Sequence, residues 1–453
     1  MTLSPLLVTP EDYGLLTDLY QLTMSACYIG EGMDQRRASF ELFARRLPNN
    51  FGYLIAMGLT QVVEYLQHFQ FNDRHLSSLQ ATGIFDQVPA SFWDTLHNAQ
   101  FTGDVWAVPE GTAVFANEPL LRIEAPLWQA QIAETYLLNT LNYQTLIATR
   151  AARLRDMAGP EAKLLEFGTR RAFSPQASVW AARAAIAGGL DATSNVFAAL
   201  QLGQKPTGTM AHALVMAIAA TEGSEDEAFT AFHRYFPGAP LLIDTYDTLN
   251  AARQLSERHH QNHAALAGVR LDSGDLVALS KQVRDILPNV PIFASGDLDE
   301  YEIFRMKQAG ACIDGYGLGT RLVTGSPVNG VYKLVDIDGI PVMKESAHKL
   351  TYPGKKQVFR QYEGDRMIKD SLGLATETQN HGACPLLQPV MRNGSLITEL
   401  DDLSAIAQRT TRSVQSLPQE IRVVQEPSSA SVEITPALAE LTQSTRTATA
   451  VAT

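Results

Sequence analysis

The chain has 453 residues, a formal net charge of −12 and a sequence pI of about 5.3, so it lacks the basic surface that non-specific nucleic-acid binding needs. Hydrophobic residues make up 45% and charged residues 19%, ordinary for a globular protein with a sizeable core. Cys27, Cys312 and Cys384 lie far apart with no CxxC pair, the N-terminus lacks a signal-peptide pattern, and no stretch is apolar and long enough to span a bilayer. A reduced, cytoplasmic setting without zinc site or disulfide framework is therefore expected.

In chain order, residues 1–150 open with a helical segment around Leu16 to Tyr28 and an alternating strand, Ala38-Ser-Phe-Glu-Leu-Phe43. An amphipathic helix from Gly58 to Phe69 follows, then short antiparallel strands at Asp104–Val108, Ala113–Phe115 and Leu120–Ile123. A long helix from Leu127 to about Met157 ends this part.

Residues 151–330 repeat one theme: a short apolar run ends in Gly, Asp, Ser or Thr, and a helical stretch follows. The runs are Lys163–Phe167, Gly189–Asp191, Gly208–Met210, Leu241–Asp244, Gly268–Asp272, Pro291–Ser295 and Ile313–Tyr316. Strand alternating with helix implies parallel pairing, and about seven units in a row favour a closed β/α barrel over an open sheet. Residues 331–426 carry two hairpin signals, around Asp338-Gly339 and Glu363-Gly364, and are expected to complete one discontinuous α/β domain with the N-terminal strands. The tail, 427–453, is rich in Ser, Thr and Ala without a large apolar cluster, and is expected to be flexible and dispensable.

Polar residues fall at the strand-to-helix junctions, which in a β/α barrel share the C-terminal rim where catalytic groups are placed. The segments are Phe167-Gly-Thr-Arg170-Arg171, Asp191–Ser194, Thr209–His212, Asp244–Tyr246, Arg270-Leu-Asp272-Ser273-Gly274, Ser295-Gly296-Asp297 and Gly317-Leu-Gly319-Thr320-Arg321. Small residues before helices let backbone N–H groups approach an anion, so the pattern suggests phosphate handling. A lone Gly-Xaa-Gly-Thr is weak evidence, because it also serves as a tight turn with a helix cap. His212, with small neighbours on the rim, is a candidate for function, although a lone histidine is more often structural. Arg270 with Asp272 also reads as a structural ion pair, Phe167 as a core aromatic and Tyr20 as one face of an amphipathic helix.

The motifs Thr17-Asp-Leu-Tyr-Gln-Leu-Thr-Met24, Glu166-Phe-Gly-Thr-Arg-Arg171, Gly208-Thr-Met-Ala-His212, Val269-Arg-Leu-Asp-Ser-Gly-Asp275, Ala294-Ser-Gly-Asp297 and Gly315-Tyr-Gly-Leu-Gly-Thr320 closely resemble those of the nicotinate phosphoribosyltransferases. The resemblance runs in order from about residue 12 to 400. It implies a type II phosphoribosyltransferase: a barrel-like domain, a second domain built from both chain ends, and a homodimer with shared active sites. The implied substrates are nicotinate, phosphoribosyl pyrophosphate and ATP, with Mg²⁺; nucleic acid and membrane are not among the implied partners.

By the same resemblance, Phe167 stacks on the pyridine ring and Tyr20, from the neighbouring subunit, covers its other face. Arg270 faces the nicotinate carboxylate, and Arg170 holds phosphate or pyrophosphate. Asp191, Asp272 and Asp297 position ribose hydroxyls, directly or through Mg²⁺ and water, and Ser273 and Ser295 belong to the substrate-binding motifs. Gly296, Gly317, Gly319 and Thr320 cradle the 5′-phosphate. His212 occupies the place of a histidine that carries a phosphoryl group and couples ATP hydrolysis to synthesis. One departure is Ala213, where some relatives have a hydroxyl residue near the nicotinate carboxylate. Rival readings are a nicotinamide or quinolinate phosphoribosyltransferase, an aldolase-like barrel and a non-catalytic paralogue; the strand ends offer no Schiff-base lysine for the aldolase.

Overall fold

The computed structural model describes residues 6–262, 266–346, 349–378, 382–430 and 432–452. The chain divides into two compact units. One comprises Met1–Leu146, Pro327–Asp402 and Arg412–Thr453; the other comprises Ile147–Ser326 and Leu403–Thr411. Two segments thus differ from the expected division. Leu403–Thr411 returns to the second unit, and the tail is part of the first. Among the described residues, no helix is long and apolar enough to cross a membrane.

The second unit is built on six parallel strands: β1 Lys163–Glu166, β2 Ala192–Thr193, β3 Leu241–Leu242, β4 Val269–Leu271, β5 Ile292–Ala294 and β6 Gly315–Leu318. They are hydrogen-bonded in the order β2-β1-β6-β5-β4-β3. Helices Pro175–Ala187, Thr248–Asn262, Leu276–Ile286 and Glu300–Gln308 supply the crossovers that parallel pairing demands. The apolar faces of Thr248–Asn262 and Leu276–Ile286, through Ala252, Leu255 and Val283, join Leu241, Ile243 and Ile292 in one core, which also takes Val215 and Phe229.

The run Gly208–Met210, read as a strand, is extended chain outside the sheet. Pro206 has no N–H to give a ladder. The segment instead bridges the edge strands: Thr207 N donates to Thr193 O at 2.9 Å, and Thr209 Oγ1 donates to Pro240 O. Six strands and one bridging segment thus surround the axis where seven strands were expected.

The first unit holds a seven-stranded antiparallel sheet in the order Ile340–Pro341, Gly330–Ile337, Arg37–Ala44, Pro119–Pro126, Asp104–Ala107, Gln388–Arg392, Ser395–Leu396. N- and C-terminal segments share it. The expected turn at Asp338-Gly339 is present, with φ of +52° and +80°, as a two-residue hairpin of the primed type requires. A second sheet joins Cys384–Pro385, Lys356–Glu363, Arg366–Leu374 and Val432–Ile434. Across it, Arg360 donates to both oxygens of Asp370 at 2.8 and 2.6 Å, with both side chains fully buried.

The tail corrects an expectation. Val432–Ile434 pairs in parallel with Arg366–Leu374, and helix Pro436–Ala452 follows, with Leu438 fully buried. Its threonines tolerate burial because their hydroxyls donate to the helix's own carbonyls, Thr442 to Leu438 O at 2.7 Å and Thr445 to Leu441 O at 2.8 Å.

Candidate active site

The strand ends of the second unit form one connected rim. Asp244, two residues beyond β3, accepts the Asp272 N–H at 2.8 Å and the Ser273 hydroxyl at 2.7 Å, both on Oδ2. Its side chain is 3% exposed, and Oδ1 is buried without a hydrogen-bond partner. Ser295 Oγ donates to Asp272 Oδ1. Gly296 follows at φ +100°, and a Cβ there would lie 2.4 Å from Asp272 O, so only glycine fits. Asp272, Ser273, Ser295 and Gly296 are thereby locked together.

His212 begins helix His212–Glu222, directly after the bridging segment. Its Nδ1 hydrogen-bonds with Thr245 Oγ1 at 3.1 Å, and Nε2 lies 3.9 Å from Asp244 Oδ1 and 4.0 Å from Asp272 Oδ2. The imidazole is thus held by a hydroxyl on one side while its other nitrogen faces two carboxylates. Glu225, on the next helix, has Oε1 buried and unpaired. Burial, then the nearby charges of Asp244 and Asp247, push its carboxyl up to about 7.

Inside the ring lies a cavity of about 330 Å³, lined by Leu165, Phe167, Ala192, Arg270, Phe293 and Gly317 among others. Phe167 leaves β1 with its N–H donating to Leu318 O at 2.7 Å. Its turn is tied down by Glu166, a fully buried carboxylate that accepts from Gly168 N and from Thr193 Oγ1. Burial raises the Glu166 carboxyl, while those two donors pull it back. Arg270 donates through Nη2 to Met210 O at 3.1 Å, and its Nε is buried without a partner. Burial lowers its guanidinium, Asp272 and Asp244 act in the opposite sense, and Arg170 is close enough to be felt. A guanidinium with a buried, unused donor in a cavity that an aromatic ring also lines is chemically suited to a flat acid.

Most expected site residues meet here. Phe167, Arg270 and Gly317 line the cavity, and Asp272, Ser273, Ser295, Gly296 and His212 form the adjoining network. Arg170 and Asp297 are exposed, the latter at φ +49°. Gly319 caps the short helix Thr320–Val323. Tyr20 belongs to the other unit, on helix Leu19–Gly30, where its hydroxyl donates to Glu134 Oε2 at 3.2 Å. Burial and the Glu134 charge push that phenol up to about 12.

Two residues stand otherwise than expected. Asp191 precedes β2, at the start of that strand rather than its end, and lines the same cavity as Phe167 and Arg270. There it accepts from Arg155 Nη2 at 2.6 Å and from Leu164 N at 2.7 Å, with Lys163 Nζ 3.7 Å away, so it fastens the base of the unit. Gly317, expected to cradle phosphate, lies within β6 and makes room for a ring: a Cβ there would be 2.7 Å from Phe167 Cδ2 and Cε2. Sequence reasoning placed Asp244 on the rim, since it ends the apolar run Leu241-Leu-Ile just as Asp272 ends its own, but gave it no role. It passed over Glu225 and Phe293.

The chain matches three family models: the nicotinate phosphoribosyltransferase N-terminal domain over residues 15–142, the nicotinate phosphoribosyltransferase family over 162–292, and the corresponding C-terminal domain over 375–442. It is 40% identical over 423 residues to the nicotinate phosphoribosyltransferase pncB2 of Mycobacterium tuberculosis, covering 91% of this chain and 89% of that one. It is 43% identical over 372 residues to the nicotinate phosphoribosyltransferase of Bacillus subtilis, covering 77% and 73%. The crystal structure of human nicotinic acid phosphoribosyltransferase resembles it with a TM-score of 0.82 at 30% identity, covering 94% of this chain and 99% of that one.

Proposed function

The chain belongs to the nicotinate phosphoribosyltransferase family, and from that premise we propose that it joins nicotinate to phosphoribosyl pyrophosphate in NAD biosynthesis, coupled to ATP hydrolysis through His212. The observation that carries the assignment to this cavity is Arg270, with its buried, unpartnered Nε, in a cavity that Phe167 also lines. A carboxylate there gains a charge-assisted pair that a neutral amide cannot match, which favours nicotinate over nicotinamide. Phe167 stacks on the pyridine, and the aromatic phenol of Tyr20, supplied by a second copy in a homodimer, covers the opposite face.

In this reading the ring nitrogen displaces pyrophosphate at the anomeric carbon of the ribose. Positive charge develops on the sugar in the transition state, and Asp272 and Asp244 are the carboxylates placed to stabilise it. Arg170, Gly296, Gly319 and Thr320 offer one guanidinium and backbone donors to the phosphates, with Asp297 beside the ribose. Mg²⁺ would neutralise the departing pyrophosphate. The rim suits such a hard cation through oxygen donors, above all the unpartnered Asp244 Oδ1. Among the described residues no group of three or more His, Cys, Asp or Glu side chains is arranged to hold a metal by itself. The metal would thus be shared with phosphate oxygens, Asp272 and Asp297 acting through water.

Phosphorylation of His212 would place negative charge and three acceptor oxygens next to Asp244 and Asp272. The test is a cytosol-like assay with nicotinate, phosphoribosyl pyrophosphate and Mg²⁺, with and without ATP. Nicotinate mononucleotide should form, and ATP hydrolysis should rise with substrates. His212→Ala should abolish ATP coupling while keeping unassisted synthesis within about tenfold, the worth of one ~1.4 kcal/mol contact. Equal losses of both would remove His212 from the coupling role, and faster turnover of nicotinamide would overturn the choice of substrate.

A further inference from the structure

The inner face of β6 carries glycine at both of its inward positions, Gly315 and Gly317, and each seats an aromatic ring. A Cβ on Gly317 would be 2.7 Å from two ring atoms of Phe167, and a Cβ on Gly315 would be 2.6 and 2.7 Å from Cε1 and Cδ1 of Phe293. Gly268, at φ +156°, makes the third side of the second seat, with a Cβ there lying 3.0 Å from Phe293 Cε2. Three glycines therefore accommodate rings rather than a phosphate.

Their order along the axis follows from the strand. Side chains two residues apart share a face and are separated by roughly 6–7 Å along the strand. Residue 317 is nearer the rim, so Phe293 lies one tier below Phe167. Alternation along β5 agrees: Ile292 and Ala294 are fully buried on the outer face, whereas Phe293 is half-buried and lines the cavity. Phe293 is also the register partner of Arg270 on β4, and the approach of its ring to Gly268, two residues before Arg270, carries that ring deeper than the Arg270 position.

We infer that Phe293 determines the size specificity of the site, by forming the aromatic wall beneath Arg270 that a 3-substituent longer than a carboxyl strikes, where Pro240 and Ala267 line the cavity's continuation. The inference rests on the proposed reading that the cavity takes a pyridine acid. A nicotinate carboxyl, bonded directly to the ring, ends at the Arg270 tier. An acid carried on one or two additional methylenes must push its carboxylate past that tier, into the face of Phe293. Because its ring is held between Gly268 and Gly315, it cannot retreat without meeting backbone.

The experiment measures dissociation constants by calorimetry for nicotinate, 3-pyridylacetate and 3-(3-pyridyl)propionate. The proteins are wild type, F293L, F293A, G315A and the F293A/G315A double variant, each checked by thermal melting. Wild type should prefer nicotinate over both homologues, and F293A should shrink that preference by about tenfold or more, within the range one methylene commands in an apolar pocket. F293L, which keeps a branched apolar side chain, should fall between. G315A should weaken nicotinate binding by driving the ring off its seat, and F293A/G315A should bind like F293A alone, a non-additivity expected only of groups in contact. An unchanged preference in F293A and F293L, or additive losses in the double variant, would overturn the role of Phe293. Wild type that binds none of the three acids would overturn the reading of the cavity itself.

Discussion

Glu225 occupies the first helical position after Ser224, where most acids are ionised and favoured by the helix end. Here burial and two acidic neighbours, Asp244 and Asp247, reverse that preference and raise its carboxyl to about 7. A carboxyl raised on folding binds a proton that the unfolded chain has already released. Its contribution to stability is therefore complete below the ordinary value of 4.5 and is lost as pH climbs through about 7. Glu225→Gln carries no charge at any pH, so its stability relative to wild type should rise across that window and level off above it. Denaturant titrations of both proteins at half-unit pH steps check this, and parallel curves would contradict it. Residue-level reading from sequence was good where a residue follows a strand immediately, as Asp272 and Ser295 do. It put Asp191 at the end of a strand, where the residue instead stands at the start of one, because Gly189, at φ +109°, follows the preceding helix and the strand begins only at Ala192. A slip of two or three positions is enough to move a carboxylate from the end of a strand to its start.

At the level of elements, period and punctuation revealed most of the parallel strands and both hairpins, because apolar runs closed by Gly, Asp or Ser leave a local mark. The C-terminal element left none. A strand of Val432–Ile434 and a helix of alanines and threonines look like linker, since burial there depends on pairing with residues some sixty positions upstream. The structure gives that element real attachment. Thr435 Oγ1 donates to Glu377 Oε1 at 2.8 Å, which in turn accepts from Leu374 N at 2.6 Å, and Leu438 is fully buried. Deleting residues 431–453 should therefore destabilise the unit by roughly the 2–5 kcal/mol of a buried leucine, or more. A melting midpoint lowered by at least about 4 °C is the expected result. An unaltered midpoint would return the tail to the dispensable status that its composition suggests.

On the scale of the whole molecule, a net charge of −12 is compatible with the proposed acid-binding site, because Arg270 acts locally where the surface average does not reach. The second unit adds an asymmetry of its own. Its strands are hydrogen-bonded in succession from β2 to β3, yet among the described residues β2 and β3 do not pair with each other, and the segment Thr207 to Thr209 bridges them. Amides of residues 207–211 should accordingly exchange with deuterium faster than those of β6, which is paired on both sides; equal protection would count against this. A hoop with one weak joint yields at that joint whenever load is applied. His212 begins three residues past Thr209, facing two carboxylates across about 4 Å, so an anion placed on its ring would push outward where the hoop resists least. The proposed phosphorylation of His212 would convert a chemical event on one imidazole into a spring loaded against the wall that surrounds the cavity.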